Sequence, residues 1–249
     1  MTKSKPKSTK KNKKDFLIST RFLLTVALLV ILLFAGIIFR KAFLTQPIIN
    51  KSQQNDTQTA QLLQLETKIA KWSPLLNSYP PQVEEKDLPA LKAEFTSFAS
   101  QTEEYFNANK NNMTNANQLQ YTFLLGELYR FGHNLDLQNS WQKSEHYYKQ
   151  ALAIDNTHYE SNSGLATLYV NSNIKYAPDA ERIFSYMMTL DLTDEQRAQT
   201  NLGLFFSHYY QGKFDQAYQN LEQGLRYDPD NELIKTMKDI MDDRKIGKN

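Results

Sequence analysis

The chain has 249 residues, 41 % of them hydrophobic and 22 % charged, with a formal net charge of +2. That is enough apolar material for one or two folded domains. The absence of cysteine excludes disulfides, thiolate metal sites and a cysteine nucleophile.

The net charge averages two opposite pieces. Residues 1–21 hold 8 Lys/Arg against one acid, Asp15, whereas residues 52–249 hold 18 Lys/Arg against 26 Asp/Glu. The opening "MTKSKPKSTKKNKK" has almost no apolar residue and cannot form a core, so 1–21 reads as a disordered basic tail. Next comes "FLLTVALLVILLFAGIIF", residues 22–39, without a charge and bracketed by Arg21 and Arg40. At ~1.5 Å per residue such a run nearly spans a ~30 Å hydrocarbon core, and its basic flanks can snorkel. It is followed by Arg40-Lys41 rather than a small-x-small cleavage site, which favours an uncleaved transmembrane helix over a signal peptide. The basic excess before the span predicts a cytoplasmic N-terminus and an extracytoplasmic remainder, periplasmic in a Gram-negative cell. No second apolar run of that length follows, so the expectation is a single-pass protein of the plasma (inner) membrane.

Residues 40–54 read as a polar stalk, and 55–110 as a helical hairpin. Leu62, Leu65, Ile69, Trp72 and Leu76 recur at alternating steps of 3 and 4, and Pro74 is expected to end that first helix. The seam 62–76 allows two uses: packing on the next helix, or pairing two chains into a homodimer. "NSYPPQVEEKD" (77–87) is a loop, and Leu91, Phe95, Phe98, Tyr105 and Phe106 mark the second helix. The Asn-rich "NANKNNMTNAN" that closes it reads as a linker to the remainder.

Residues 118–245 carry an internal repeat. Ser144, Ala180 and Ala217 share one position; Tyr148, Phe184 and Leu221 follow four later, and Asp155, Asp191 and Asp228 close each copy. Ahead of each copy stands "LGELY" (125–129), "LATLY" (165–169) or "LGLFF" (202–206). The unit is helix A with Leu-small-x-x-aromatic, a turn, then helix B with small-x3-large. Gly126, Ala166 and Gly203 on A, with the small residues on B, predict close helix–helix approach. A final segment places Leu233, Met237, Ile240 and Met241 on one face, as a capping helix would.

These half-motifs, recurring in order three times, resemble the tetratricopeptide repeat (TPR), a helix–turn–helix with Leu-Gly-x2-Tyr, Ala-x3-Phe and a closing proline. Pro229 matches that proline; Asn156 and Leu192 replace it elsewhere, and no copy has the family's tryptophan. The first turn, "FGHNLDLQNS", is longer than the family's. The resemblance implies an all-α chain: a transmembrane helix, then an α-solenoid of stacked hairpins with a C-terminal cap. It also implies protein or peptide binding on the concave face of the A helices. The family's groove positions fall here on Gln120, Phe123, Glu127 and Arg130; on Glu160, Ser163, Thr167 and Asn171; and on Arg197, Thr200, Leu204 and His208. Phe123 and Glu127 do not fit the subset that clamps a C-terminal carboxylate.

The expected function is a membrane-anchored TPR scaffold holding another envelope protein. That topology resembles the anchored repeat subunits of cytochrome c assembly systems and periplasmic chaperones of the secretion translocon. A structural subunit of a secretion or pilus machine is the alternative. No P-loop, nucleophile elbow, dinucleotide fingerprint or His-x3-His spacing occurs, so no enzyme activity, cofactor or metal is expected. The acidic C-terminal part also lacks the basic face that nucleic-acid binding needs.

Overall fold

A computed structural model describes residues 56–243. The expected basic tail, membrane span and stalk lie outside the described residues. Among the described residues no helix is long and apolar enough to cross a membrane. These residues form nine α-helices and no strand. They are α1 (Asp56–Leu76), α2 (Leu88–Asn109), α3 (Asn115–Asn134), α4 (Ser140–Ile154), α5 (Tyr159–Ser172), α6 (Ala177–Met187), α7 (Asp194–Tyr210), α8 (Phe214–Tyr227) and α9 (Glu232–Asp243).

Each helix from α2 onward packs on the next, and α1, α3, α5 and α7 also touch one another in order. This is the contact pattern of a helical solenoid: A helices α3, α5 and α7, B helices α4, α6 and α8, closed by α9 on α8. The first hairpin joins the same scheme, because α1 stands to α3 as α3 stands to α5.

The small residues do what their spacing predicts. Ser144, Ala180 and Ala217 are fully buried, and the Ser144 hydroxyl donates to Gly126 O at 2.8 Å. A Cβ on Gly126 would lie 2.6 Å from the Tyr148 ring, and one on Gly203 would overlap Phe184. The glycines therefore let a helix B aromatic ring lie directly on the helix A backbone. Gly224 does the same for Ile234 of α9, and Gly212 makes its turn at φ +73°. In the first hairpin bulk replaces small residues: Trp72 packs on Phe95 and Phe98, with ring centroids at 5.1 and 5.5 Å.

Three local expectations change. Pro74 does not stop α1, which runs to Leu76. Proline removes only its own amide from the last turn, and Asn77 N still reaches Ser73 O at 3.1 Å. The Asn-rich run is a tight turn rather than a linker: α2 continues to Asn109, a 3-10 turn follows, and the Thr114 side chain caps α3 by accepting from Asn117 N at 3.2 Å. Met113 in that turn is buried, which ties it to the core. The long "FGHNLDLQNS" is partly helix, since α3 carries on to Asn134 and takes His133 with it. Asp136 and Asn139 then turn at φ 57° and 62°, and the buried Leu135 pins the turn.

The seam of α1 packs inward. Leu65, Ile69, Trp72 and Leu76 are all at most 1 % exposed within a single chain, and Leu62 is half-buried against the same core.

Candidate functional site

The expected groove positions lie on the A helices, and those helices touch each other, so several of these side chains meet protein rather than solvent. Phe123 (8 % exposed) sits edge-on to the His158 ring at 5.6 Å. Glu127 and Arg130 are buried, as are Ser163, Thr200, Leu204 and His208. Gln120 is half-buried and donates to Glu66 of α1 at 3.3 Å. Arg197 is half-buried with its guanidinium 5.9 Å from the Tyr227 ring. Thr167 and Glu160 are half-buried, and Asn171 is exposed.

Glu127 and Arg130 form the centre of an internal network. Three residues apart on α3, they pair with Arg130 Nη2 on Glu127 Oε2 at 2.6 Å and Nε on Oε1 at 3.3 Å. The Tyr148 hydroxyl of α4 donates to Glu127 Oε1. Arg130 Nη2 also donates to Asn77 Oδ1 at 2.9 Å, just beyond α1, and Asn77 Nδ2 donates to Ser73. Burial disfavours the Arg130 cation, but Glu127 beside it outweighs that and raises its pKa. Burial, with Glu127 adding to it, holds the Tyr148 phenol well above its ordinary range. The network is satisfied at both ends, so it joins three helices as structure.

On the B-helix side a second pattern repeats. Glu103 of α2 accepts from Tyr129 (2.7 Å) on α3 and from Lys143 (2.6 Å) and Tyr147 (2.8 Å) on α4. Glu145 of α4 accepts from Tyr169 of α5 at 2.6 Å and from Lys149 of its own helix at 2.7 Å. Glu181 of α6 accepts from Gln211 (2.6 Å) and Lys213 (2.7 Å), with His208 Nε2 at 3.2 Å. At the same register in the last copy Tyr218 of α8 donates to Asp242 of α9 at 2.8 Å, the roles exchanged. Each hairpin is thus latched to the next by an acid–hydroxyl or acid–cation rung. Burial raises the carboxyls of Glu103, Glu145 and Glu181, but their donors outweigh it and lower all three pKa values, Glu181 to about 2. The Tyr169 phenol is pushed up to about 12, by burial first and then by Glu145.

Motif reading passed over these acids, although a signal was there. Glu145 and Glu181 directly follow Ser144 and Ala180, and Tyr129 and Tyr169 occupy the recurring helix A aromatic position.

Among the described residues a cleft lies between α4 and α6. This cleft of about 510 Å³ is floored by Leu165 and Tyr169 of α5 and walled by Tyr176 and Tyr186, with Glu145 on one side and Asp179 on the other. Behind it Trp141 stacks on Tyr176 at 5.1 Å and Tyr176 on Tyr169 at 5.6 Å, while Trp141 Nε1 donates to Ser172 Oγ at 2.6 Å. Such a site has stacking surface and charge for a side chain. Among the described residues no group of three His, Asp or Glu side chains is placed to hold a metal ion.

Comparison of the chain with family models, with curated proteins and with solved structures finds no match.

Proposed function

We propose that this protein is a membrane-anchored helical-repeat adaptor of the TPR kind. The apolar run 22–39 holds it in the membrane, and the helical stack presents a surface that binds another envelope protein or a peptide segment of one. The observation that carries this reading is the rung-by-rung latching of four hairpins, in which Glu103, Glu145 and Glu181 each accept from the following hairpin. Such a stack keeps its shape over its length, and a solenoid uses its extended surface to bind. Asn171 on α5 and the cleft between α4 and α6 are open to a partner.

The test is site-specific photocrosslinking of the full chain in the membranes of the cell that makes it. A photoreactive residue at Asn171 or at Tyr186 is expected to give a discrete protein adduct. No adduct at either position overturns the adaptor reading.

A further inference from the structure

A chain of hydrogen bonds among α6, α7 and α8 fixes the protons on a buried histidine. Arg197 O on α7 can only accept. Asn201 donates to it through Nδ2 at 2.9 Å, with Met188 Sδ 3.9 Å from the same nitrogen, so the amide is oriented and its Oδ1 is left to accept. Asn220 of α8 donates from Nδ2 to that oxygen at 3.3 Å, which turns its own Oδ1 to His208 of α7, 2.7 Å from Nδ1. An amide oxygen accepts only, so Nδ1 carries a hydrogen. The other ring nitrogen, Nε2, stands 3.2 Å from Glu181 Oε1 on α6. Burial raises the Glu181 pKa, but Lys213, Gln211 and His208 outweigh it and hold it at about 2, so this group is a carboxylate and also accepts only. With an acceptor at each nitrogen the ring carries two N–H groups, which makes it a cation.

The His208 side chain is 11 % exposed and bonds two neighbouring helices, α6 through Glu181 and α8 through Asn220. The charged groups at this ring are Glu181 and, on the same carboxylate at 2.7 Å, Lys213 of the α7–α8 turn; Asn220 and Asn201 bring no charge. A neutral ring has one N–H and cannot serve both acceptors. Without the Nε2 hydrogen it turns a lone pair on a carboxylate. Without the Nδ1 hydrogen it turns a lone pair on the Asn220 oxygen. Turning that amide over sets oxygen against oxygen at Asn201, whose own reversal would lose Arg197 O. Either loss leaves an acceptor unpaired inside the protein. The same register holds Phe131 and Asn171 in the earlier copies, so neither of them places a titratable group here.

We propose that His208 is a proton-operated latch on the C-terminal end of the helical stack. Doubly protonated, it bolts α7 to α6 and to α8 at once. Neutral, it keeps one of these bonds and releases the other, and α8 with its cap α9 opens more readily. The latch is shut in acid and slackens as pH rises. Lys213 and Gln211 hold Glu181 in either state, so the stack stays folded while the joint loosens. The latch belongs to the helix stack itself and does not depend on the adaptor reading.

The test uses the full chain in detergent micelles, with nitrogen-15 NMR of the histidine rings and asparagine amides. His208→Gln assigns the ring signals by their absence. At about pH 5.5, on the acid side of the ordinary histidine range, two slowly exchanging His208 ring N–H protons are expected, because a ring N–H open to water exchanges too fast to be seen. At about pH 8.5 one of them is expected to be lost, with the side-chain amide signals of Asn220 and Asn201 shifting in step. Backbone hydrogen exchange in α8 and α9, corrected for the intrinsic effect of pH, is expected to run about tenfold faster at the higher pH, with α2 unchanged. Asn220→Leu removes the acceptor at Nδ1 and is expected to cancel both the Asn201 shift and the exchange difference. A single ring N–H at about pH 5.5, two retained at about pH 8.5, asparagine amides that do not follow the ring, or an exchange difference that survives Asn220→Leu overturns the proposal.

Discussion

The Tyr148 ring is clamped between two glycines on different helices, Gly126 of α3 and Gly164 of α5. A Cβ at either position would lie 2.6 Å from ring carbons. Gly126→Ala and Gly164→Ala are each expected to lower unfolding stability by about 1–3 kcal/mol, because a rigid ring has no room to yield. Gly212→Ala meets no neighbour but keeps φ +73°, so about 1 kcal/mol is expected there. Urea titration followed by circular dichroism measures all three. A neutral Gly126→Ala would refute the clamp.

The Glu127–Arg130 pair behaves as a unit. Glu127→Leu alone leaves the Arg130 cation buried without its carboxylate, and about 3–5 kcal/mol of stability is expected to be lost. Glu127→Leu with Arg130→Met is expected to recover most of that loss, since both charges go together. A double variant as unstable as the single one in the same denaturation assay contradicts a desolvation origin.

Each rung acts on its own neighbours. Glu103→Gln weakens the donor bonds from Lys143, Tyr129 and Tyr147, a local effect of about 1–2 kcal/mol. Hydrogen exchange should quicken in α2, α3 and α4 and stay at wild-type rates in α7 to α9, because a solenoid couples nearest neighbours. Uniform acceleration along the chain would show a globally cooperative body instead.

Acid acts through several groups of depressed pKa, His158 and Glu181 among them. Burial lowers the pKa of His158, whose neutral ring accepts from Ser161 N and caps α5. The unfolded chain binds that proton more readily, so stability is expected to fall as pH drops below about 6.5, and His158→Asn should flatten that part of the curve. Glu181 titrates at about 2 when folded. Its contribution is full above about 4.3, the ordinary glutamate value, and is lost as pH falls from there toward 2. Thermal melts of wild type and Glu181→Gln across pH 2–7 check both. If Glu181→Gln lost no stability relative to wild type at pH 6, the latch would carry no energy.

Much of the fold is legible in the residues. Small side chains at 144, 180 and 217, and glycine at 126 and 203, demand close helix pairs, and the helices pack that way. The first hairpin is harder to read because Trp72 and Phe95 fill its seam with bulk, so no small-residue motif marks it. Turns also resist reading: nothing in "FGHNLDLQNS" reveals that α3 runs into it as far as Asn134 until Leu135 is seen buried. The site is the least legible part. Glu127 and Arg130 occupy surface positions of an idealised repeat, and only the stacking of α1 on α3 and the reach of Tyr148 bring them inside. The cleft gathers Glu145, Tyr169, Tyr176 and Tyr186 from separate helices, a meeting that no single motif spells out.

The nearest-neighbour rungs have a mechanical consequence. With its N-terminal end fixed and its far end pulled, such a chain has no long-range strut to share the load. It would peel from α9 backward, losing the Tyr218–Asp242 rung first and then the grip of Lys213 on Glu181, in a sawtooth of small force drops.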